Sequence, residues 1–170
     1  RKGGEYRDHD TNELLGIEAI YVGKSQLKRL GDPATLYISS SEQHTTKGDR
    51  IVPSSVDSPF RDMYPKRPDK DINGAIISVF NGVTQIGQYN IVVLDRGASD
   101  GLEVGDVLSI LHRGPDILDS VSDDPRDMVK LPDEEAGQLL VFRTFDRISF
   151  GIVMFATRAI NIHDKVVTPE

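Results

Sequence analysis

Apolar residues fall in short runs bounded by Gly, Pro, Asp and Asn, and no segment sustains a helical stripe. Residues 75–80 (AIISVF) and 139–142 (LLVF) are apolar at both parities, the pattern of strands covered on both faces. Helical signals are confined to 116–121 and 124–130, each expected as a single turn. The pattern predicts a chain that is mostly β.

The runs recur in three similar segments, 16–53, 74–111 and 137–169. Each opens on a glycine (Gly16, Gly74, Gly137) and a strand-like run, and these glycines are spaced by about 60 residues. A polar turn leads to a second apolar run, at 34–38, 91–94 and 152–156. Each segment closes on a turn feeding a short aliphatic strand: Gly48-Asp49, Gly105-Asp106 and His163-Asp164. The fold expected is all-β: small barrel-like or sandwich units with a weak internal triplication and few short helices. The β units span 14–55, 74–111 and 137–170. A proline-rich connector at 56–73 and an acidic polar connector at 112–136 join them. Residues 1–13 read as a mobile terminus or the end of a missing region.

Composition narrows the chemistry. A formal charge of −7 and a pI near 5.1 argue against a general nucleic-acid binder, whose phosphate contacts need basic clusters. Lys66-Arg67 with Lys70 is the longest basic group here. The chain has no cysteine, which excludes disulfides, thiol catalysis and Cys-based metal sites. The longest apolar stretch, 148–156, is too short for a transmembrane helix. The sequence opens at Arg1 without a signal-like segment and reads as a processed or excised piece of something longer.

Gly97, Gly101 and Gly105 precede a strand and fit neither a phosphate loop nor a dinucleotide fingerprint, which lead into a helix. Asp49, Asp106 and Asp164 stand at matching places, as a catalytic trio would. The turn reading weighs more, because Gly tolerates positive φ and Asp bonds nearby backbone amides. Leu102 is expected to plug its loop into the core. Asp95, Asp100 and Glu103 lack calcium-loop spacing, and 119–127 is acidic enough only to gather a cation loosely. His9, His44, His112 and His163 are scattered and without zinc-ligand spacing. Ser99 is not centred between glycines as a nucleophile elbow requires. No enzyme, cofactor or metal is therefore expected. Phe60, Met63 and Tyr64 in the proline-rich connector are candidate partner contacts, or a strap folded back on the neighbouring barrel. Phe145 and Phe150 are expected as core residues around a hairpin turn, with Arg143 and Arg147 as an outward polar stripe.

Motifs in one order along nearly the whole chain after Leu14 carry a resemblance. They are Gly16-Ile-Glu-Ala, Tyr21-Val-Gly, Gly31-Asp-Pro-Ala-Thr, Gly48-Asp-Arg, Gln85-Ile-Gly-Gln-Tyr, Arg96-Gly and Gly101-Leu. Leu131-Pro-Asp-Glu-Glu-Ala-Gly, Leu140-Val-Phe-Arg, Phe145-Asp-Arg-Ile-Ser and Ala156-Thr-Arg complete the series. The sequence resembles the C-terminal region of the LysM-containing, secretin-associated proteins of type IV pili, itself similar to the C-terminal domain of a flagellar outer-ring protein. The resemblance implies a periplasmic protein of a Gram-negative envelope, associated with outer membrane and peptidoglycan. It implies a structural role: supporting or anchoring the outer-membrane secretin, with peptidoglycan held by a LysM module that these residues lack. It supplies no catalytic residues. A glycan-binding module and a flagellar-type envelope component are the alternatives.

Overall fold

The computed structural model describes residues 1–54, 63–80, 85–119 and 127–170. The fold is all-β, with strands β1 (Lys2–Arg7), β2 (Leu14–Ala19), β3 (Gly23–Arg29), β4 (Thr35–Ser41), β5 (Asn73–Val79) and β6 (Ile91–Leu94). The later strands are β7 (Val107–His112), β8 (Asp116–Leu118), β9 (Met128–Lys130), β10 (Glu134–Thr144), β11 (Ser149–Ala156) and β12 (Lys165–Val167). A single 3-10 turn at Ala98–Asp100 interrupts the β6–β7 link. The chain divides into two units: Arg1–Glu5 with Ile17–Val56, and Tyr6–Gly16 with Asp57–Glu170.

The larger unit contains a closed antiparallel barrel in the order β10-β11-β6-β5-β12-β7. Exchanging β5, β6, β7 for β10, β11, β12 reproduces that order, so two three-strand modules interlock about a pseudo-two-fold axis. The registers obey the same exchange. Ile76 faces Leu94 with a bulge before Ser78, and Val141 faces Gly151 with a bulge before Arg143. Where β6 meets β11, Val93 and Phe150 face each other on the axis. Aliphatic side chains from both modules fill the interior, among them Ile76, Leu94, Leu108, Leu139, Val141, Val153 and Val166. Each such side chain contributes roughly 1.5–3 kcal/mol through its removal from water. Leu102 and Ile160, from the loops before β7 and β12, close the core. The second and third sequence segments thus close one barrel together, because each module leaves a first and a third strand for the other to pair.

The smaller unit holds the first two strands and the Asp turn of a third copy of the module, while the short strand expected after Gly48-Asp49 does not form at residues 50–54. Its β3–β4 ladder pairs Gly23 with Ser41, Lys24 with Ser40, Ser25 with Ile38, Leu27 with Leu36 and Arg29 with Thr35. The β10–β11 ladder pairs Gly137 with Ala156, Gln138 with Phe155, Leu139 with Val153, Val141 with Gly151 and Arg143 with Phe150. Both of its bulges recur at the same steps, and the following Asp49 falls at the place of Asp164. A Cβ on Gly23 would sit 2.3 Å from the Ser40 carbonyl, and one on Gly137 would sit 2.2 Å from that of Phe155.

Several expectations need correction. The opening glycines Gly16 and Gly74 are not equivalent to Gly137. Gly23 is, while Gly74 faces Val166 in the place that Leu139 takes opposite Leu108. The helical turns expected at 116–121 and 124–130 give way to β8 and β9, where Ile117 pairs with Val129; residues 120–126 lie outside the described ones. The stretch expected as a mobile terminus carries β1, and its Tyr6 is buried against Val93 and Ile148. Glu13 is held there by Arg147, whose Nη1 and Nη2 donate at 2.7 and 2.8 Å. Phe145 is exposed, edge-on to Phe150 rather than inside the core.

Candidate functional site

The three Gly/His-Asp turns are built alike. The residue before each Asp has positive φ: 101° at Gly48, 100° at Gly105 and 75° at His163. That conformation reverses the chain, and glycine enters it most cheaply. The backbone N–H of each Asp then donates to the carbonyl three residues back, at Thr46, Glu103 and Asn161. One carboxylate oxygen closes the loop from the other side. Oδ2 of Asp49, Asp106 and Asp164 accepts from the backbone N–H of Thr46, Glu103 and Asn161, in each case at 2.8 Å. The carboxylates that would make a catalytic trio each serve as the clasp of their own turn.

The remaining oxygen of each Asp faces a base from elsewhere in the chain. Oδ1 of Asp49 accepts from Arg1 Nε at 3.0 Å, and Oδ1 of Asp164 lies 2.9 Å from His112 Nδ1. Oδ1 of Asp106 is buried without a hydrogen-bond partner, and Lys66 Nζ stands 3.8 Å away. The electrostatics follow. The hydrogen bond from Arg1 draws the Asp49 carboxyl below its usual range, helped by the Thr46 amide. Burial pushes Asp106 up, against the opposing pull of the Glu103 amide and Lys66.

In the barrel both turns also lock the two modules together. Gly105 N–H donates to the Val141 carbonyl and Val141 N–H to that of Asp106, both at 2.8 Å. On the other side His163 N–H donates to Ile76 at 2.8 Å and Ile76 N–H donates to Asp164 at 3.0 Å. Gly97 and Gly101 shape the longer link before Gly105. Gly97 N–H donates to Asp100 Oδ2 at 2.9 Å, and a Cβ on Gly97 would meet the carbonyls of Phe145 and Asp146 at 2.5 Å. Gly101 has a φ of 100° and precedes the buried Leu102.

The proline-rich connector runs beside Gly105. Lys66 N–H donates to the Gly105 carbonyl and Val107 N–H to that of Lys66, both at 2.8 Å, and Lys66 Nζ pairs with Glu103. Pro68 is buried. Tyr64 is 81% exposed, while Met63 is half-buried. Phe60 lies outside the described residues.

Two groupings had no signal in residue spacing, since long-range folding makes them. His9 stacks on His163 with ring centres 4.3 Å apart, and burial first, then the His9 charge, lowers the His163 pKa. Asp95 is buried beside Arg96, accepts from Ala75 N–H at 2.7 Å, and has its carboxyl raised by burial. Among the described residues, no group of three or more His, Asp or Glu could hold a metal ion, and no helix is long and apolar enough to cross a membrane. Comparison with protein-family models and with curated proteins finds no match to this chain.

Proposed function

We propose that this chain is a structural piece of a Gram-negative periplasm that docks on the outer-membrane secretin of type IV pili, or on that secretin's neighbours. The order of motifs shared with the secretin-associated pilus family motivates the reading. The observation that carries it is the use made of the repeated carboxylates: each clasps a turn through its own backbone, and the other oxygens of Asp49 and Asp164 meet Arg1 and His112. A part whose recurring polar groups are spent on shape is suited to spacing and contact rather than to turnover. Tyr64, exposed beside a strap that is fastened to the barrel, offers an aromatic contact of the kind that anchors interfaces.

Peptidoglycan contact belongs, on this reading, to a LysM module outside these residues. Immobilised full chain should retain the secretin's periplasmic domains from detergent extract, and Tyr64→Ala should weaken retention severalfold. Sedimentation with purified sacculi separates the glycan-binding alternative. Retention on sacculi together with no capture of secretin would replace the proposal with a glycan-binding module.

A further inference from the structure

Among the described residues the first module lacks the partner that its two counterparts give each other. Leu27, Ile38 and Ile51 hold the places of Val141, Val153 and Val166, by the shared register and by position after the turn aspartate. Those barrel residues are 0% exposed, as are Ile76 and Leu108, the second-module counterparts of Leu27 and Ile51. Leu27 is 54% exposed, Ile38 48% and Ile51 66%. A two-stranded sheet exposed on both faces is marginal in water and needs a further layer. In the barrel, the Gly105-Asp106 and His163-Asp164 turns exchange backbone hydrogen bonds with the first strand of the opposite module. Among the described residues the Gly48-Asp49 turn makes no such exchange, and a Cβ on Gly48 would meet nothing within 4 Å.

What covers these positions in the barrel is another copy of the same module. We propose that the first unit of one chain pairs with the first unit of a second chain across a two-fold axis, closing between chains the kind of barrel that modules two and three close within one. Strand β4 (TLYISSS) carries no charge, so its self-pairing sets no like charges opposite each other. Thr35 corresponds to Phe150, which faces its own counterpart Val93 on the internal axis, so Thr35 of each copy should face the other. This inference does not depend on the secretin reading.

The test is the mass of the full chain by analytical ultracentrifugation, with two variants. The natural chain should sediment as a dimer, and Ile51→Asp, at a position exposed within one chain, should give a monomer whose circular dichroism is unchanged. Because the chain lacks cysteine, Thr35→Cys introduces a single thiol. Paired antiparallel Cα atoms are within disulfide reach, so mild oxidation should join two chains, while Lys47→Cys should not do so. A monomer at millimolar protein, a dimer indifferent to Ile51→Asp, or failure of Thr35→Cys to cross-link each overturns the proposal.

Discussion

Replacing Gly48 and Gly105 in turn with alanine separates the geometry of the repeated turn from what rests on it. The two glycines have nearly the same φ, 101° and 100°, so a left-handed L-residue costs about 1–2 kcal/mol at either. Stiffening of the unfolded chain offsets roughly 0.4–1 kcal/mol in both cases. Their surroundings differ. A Cβ on Gly48 meets open space, whereas one on Gly105 falls 2.5 Å from the Tyr64 carbonyl oxygen. That carbonyl cannot simply withdraw, since Lys66 is tied to Gly105 and Val107 by two backbone hydrogen bonds of 2.8 Å. Losing both adds roughly 2 kcal/mol. Gly105→Ala should therefore destabilise the barrel unit by about 3 kcal/mol, and Gly48→Ala its own unit by about 1 kcal/mol. The assay is urea unfolding at fixed protein concentration, followed through resolved amide signals of each unit. With slopes of roughly 1–3 kcal/mol per molar, the Gly105 midpoint should fall by about 1–3 M. Equal losses at the two sites would refute the claim that the connector is seated on the turn.

Further outcomes follow from the same contacts. Leu102→Ala, at a fully buried plug, should cost about 2–5 kcal/mol in chemical unfolding. Asp106→Asn retains an acceptor for the Glu103 amide and removes a charge that burial disfavours, so it should be nearly neutral. Asp106→Ala abandons the clasp and should lose about 1–2 kcal/mol, and a reversed order would show that the charge rather than the clasp matters. The folded His163 has a lowered pKa and binds fewer protons than the unfolded chain. Its contribution is present above the unfolded histidine value near ~6.5 and is lost as pH falls through that value toward the folded one. Thermal unfolding should therefore show a stability loss on acidification through that window, smaller in His163→Asn; an unchanged slope would exclude the imidazole as its source.

The all-β class and the Asp turns were legible because their causes are local. Gly before Asp announces a positive-φ reversal, as at Gly48 and Gly105, and apolar runs at both parities announce strands buried on both faces. The module boundary was not. Strand β3 (GKSQLKR) is polar apart from Leu27, whereas Gly16-Ile-Glu-Ala has the look of an opening strand, so the pattern points to Gly16 where the ladder begins at Gly23. The interlocking of modules two and three was hidden for a different reason: each first and third strand pairs with the other module, which no pattern within one segment encodes. Residues 116–118 and 128–130 read as helical turns because three residues carry too little periodicity to choose, and cross-strand pairing of Ile117 with Val129 decided the matter. Tyr6 and the His9–His163 stack depend on contacts from the opposite end of the chain.

On the proposed function, the repeated carboxylates build shape and the chain acts by docking. The most direct test measures secretin binding by the natural chain and by one carrying Asp49→Asn, Asp106→Asn and Asp164→Asn together, in parallel by surface plasmon resonance with the secretin's periplasmic domains. Both should bind, with affinities within about threefold, a difference of roughly 0.65 kcal/mol. No binding by the natural chain, or binding abolished in a folded triple variant, would contradict the proposed function.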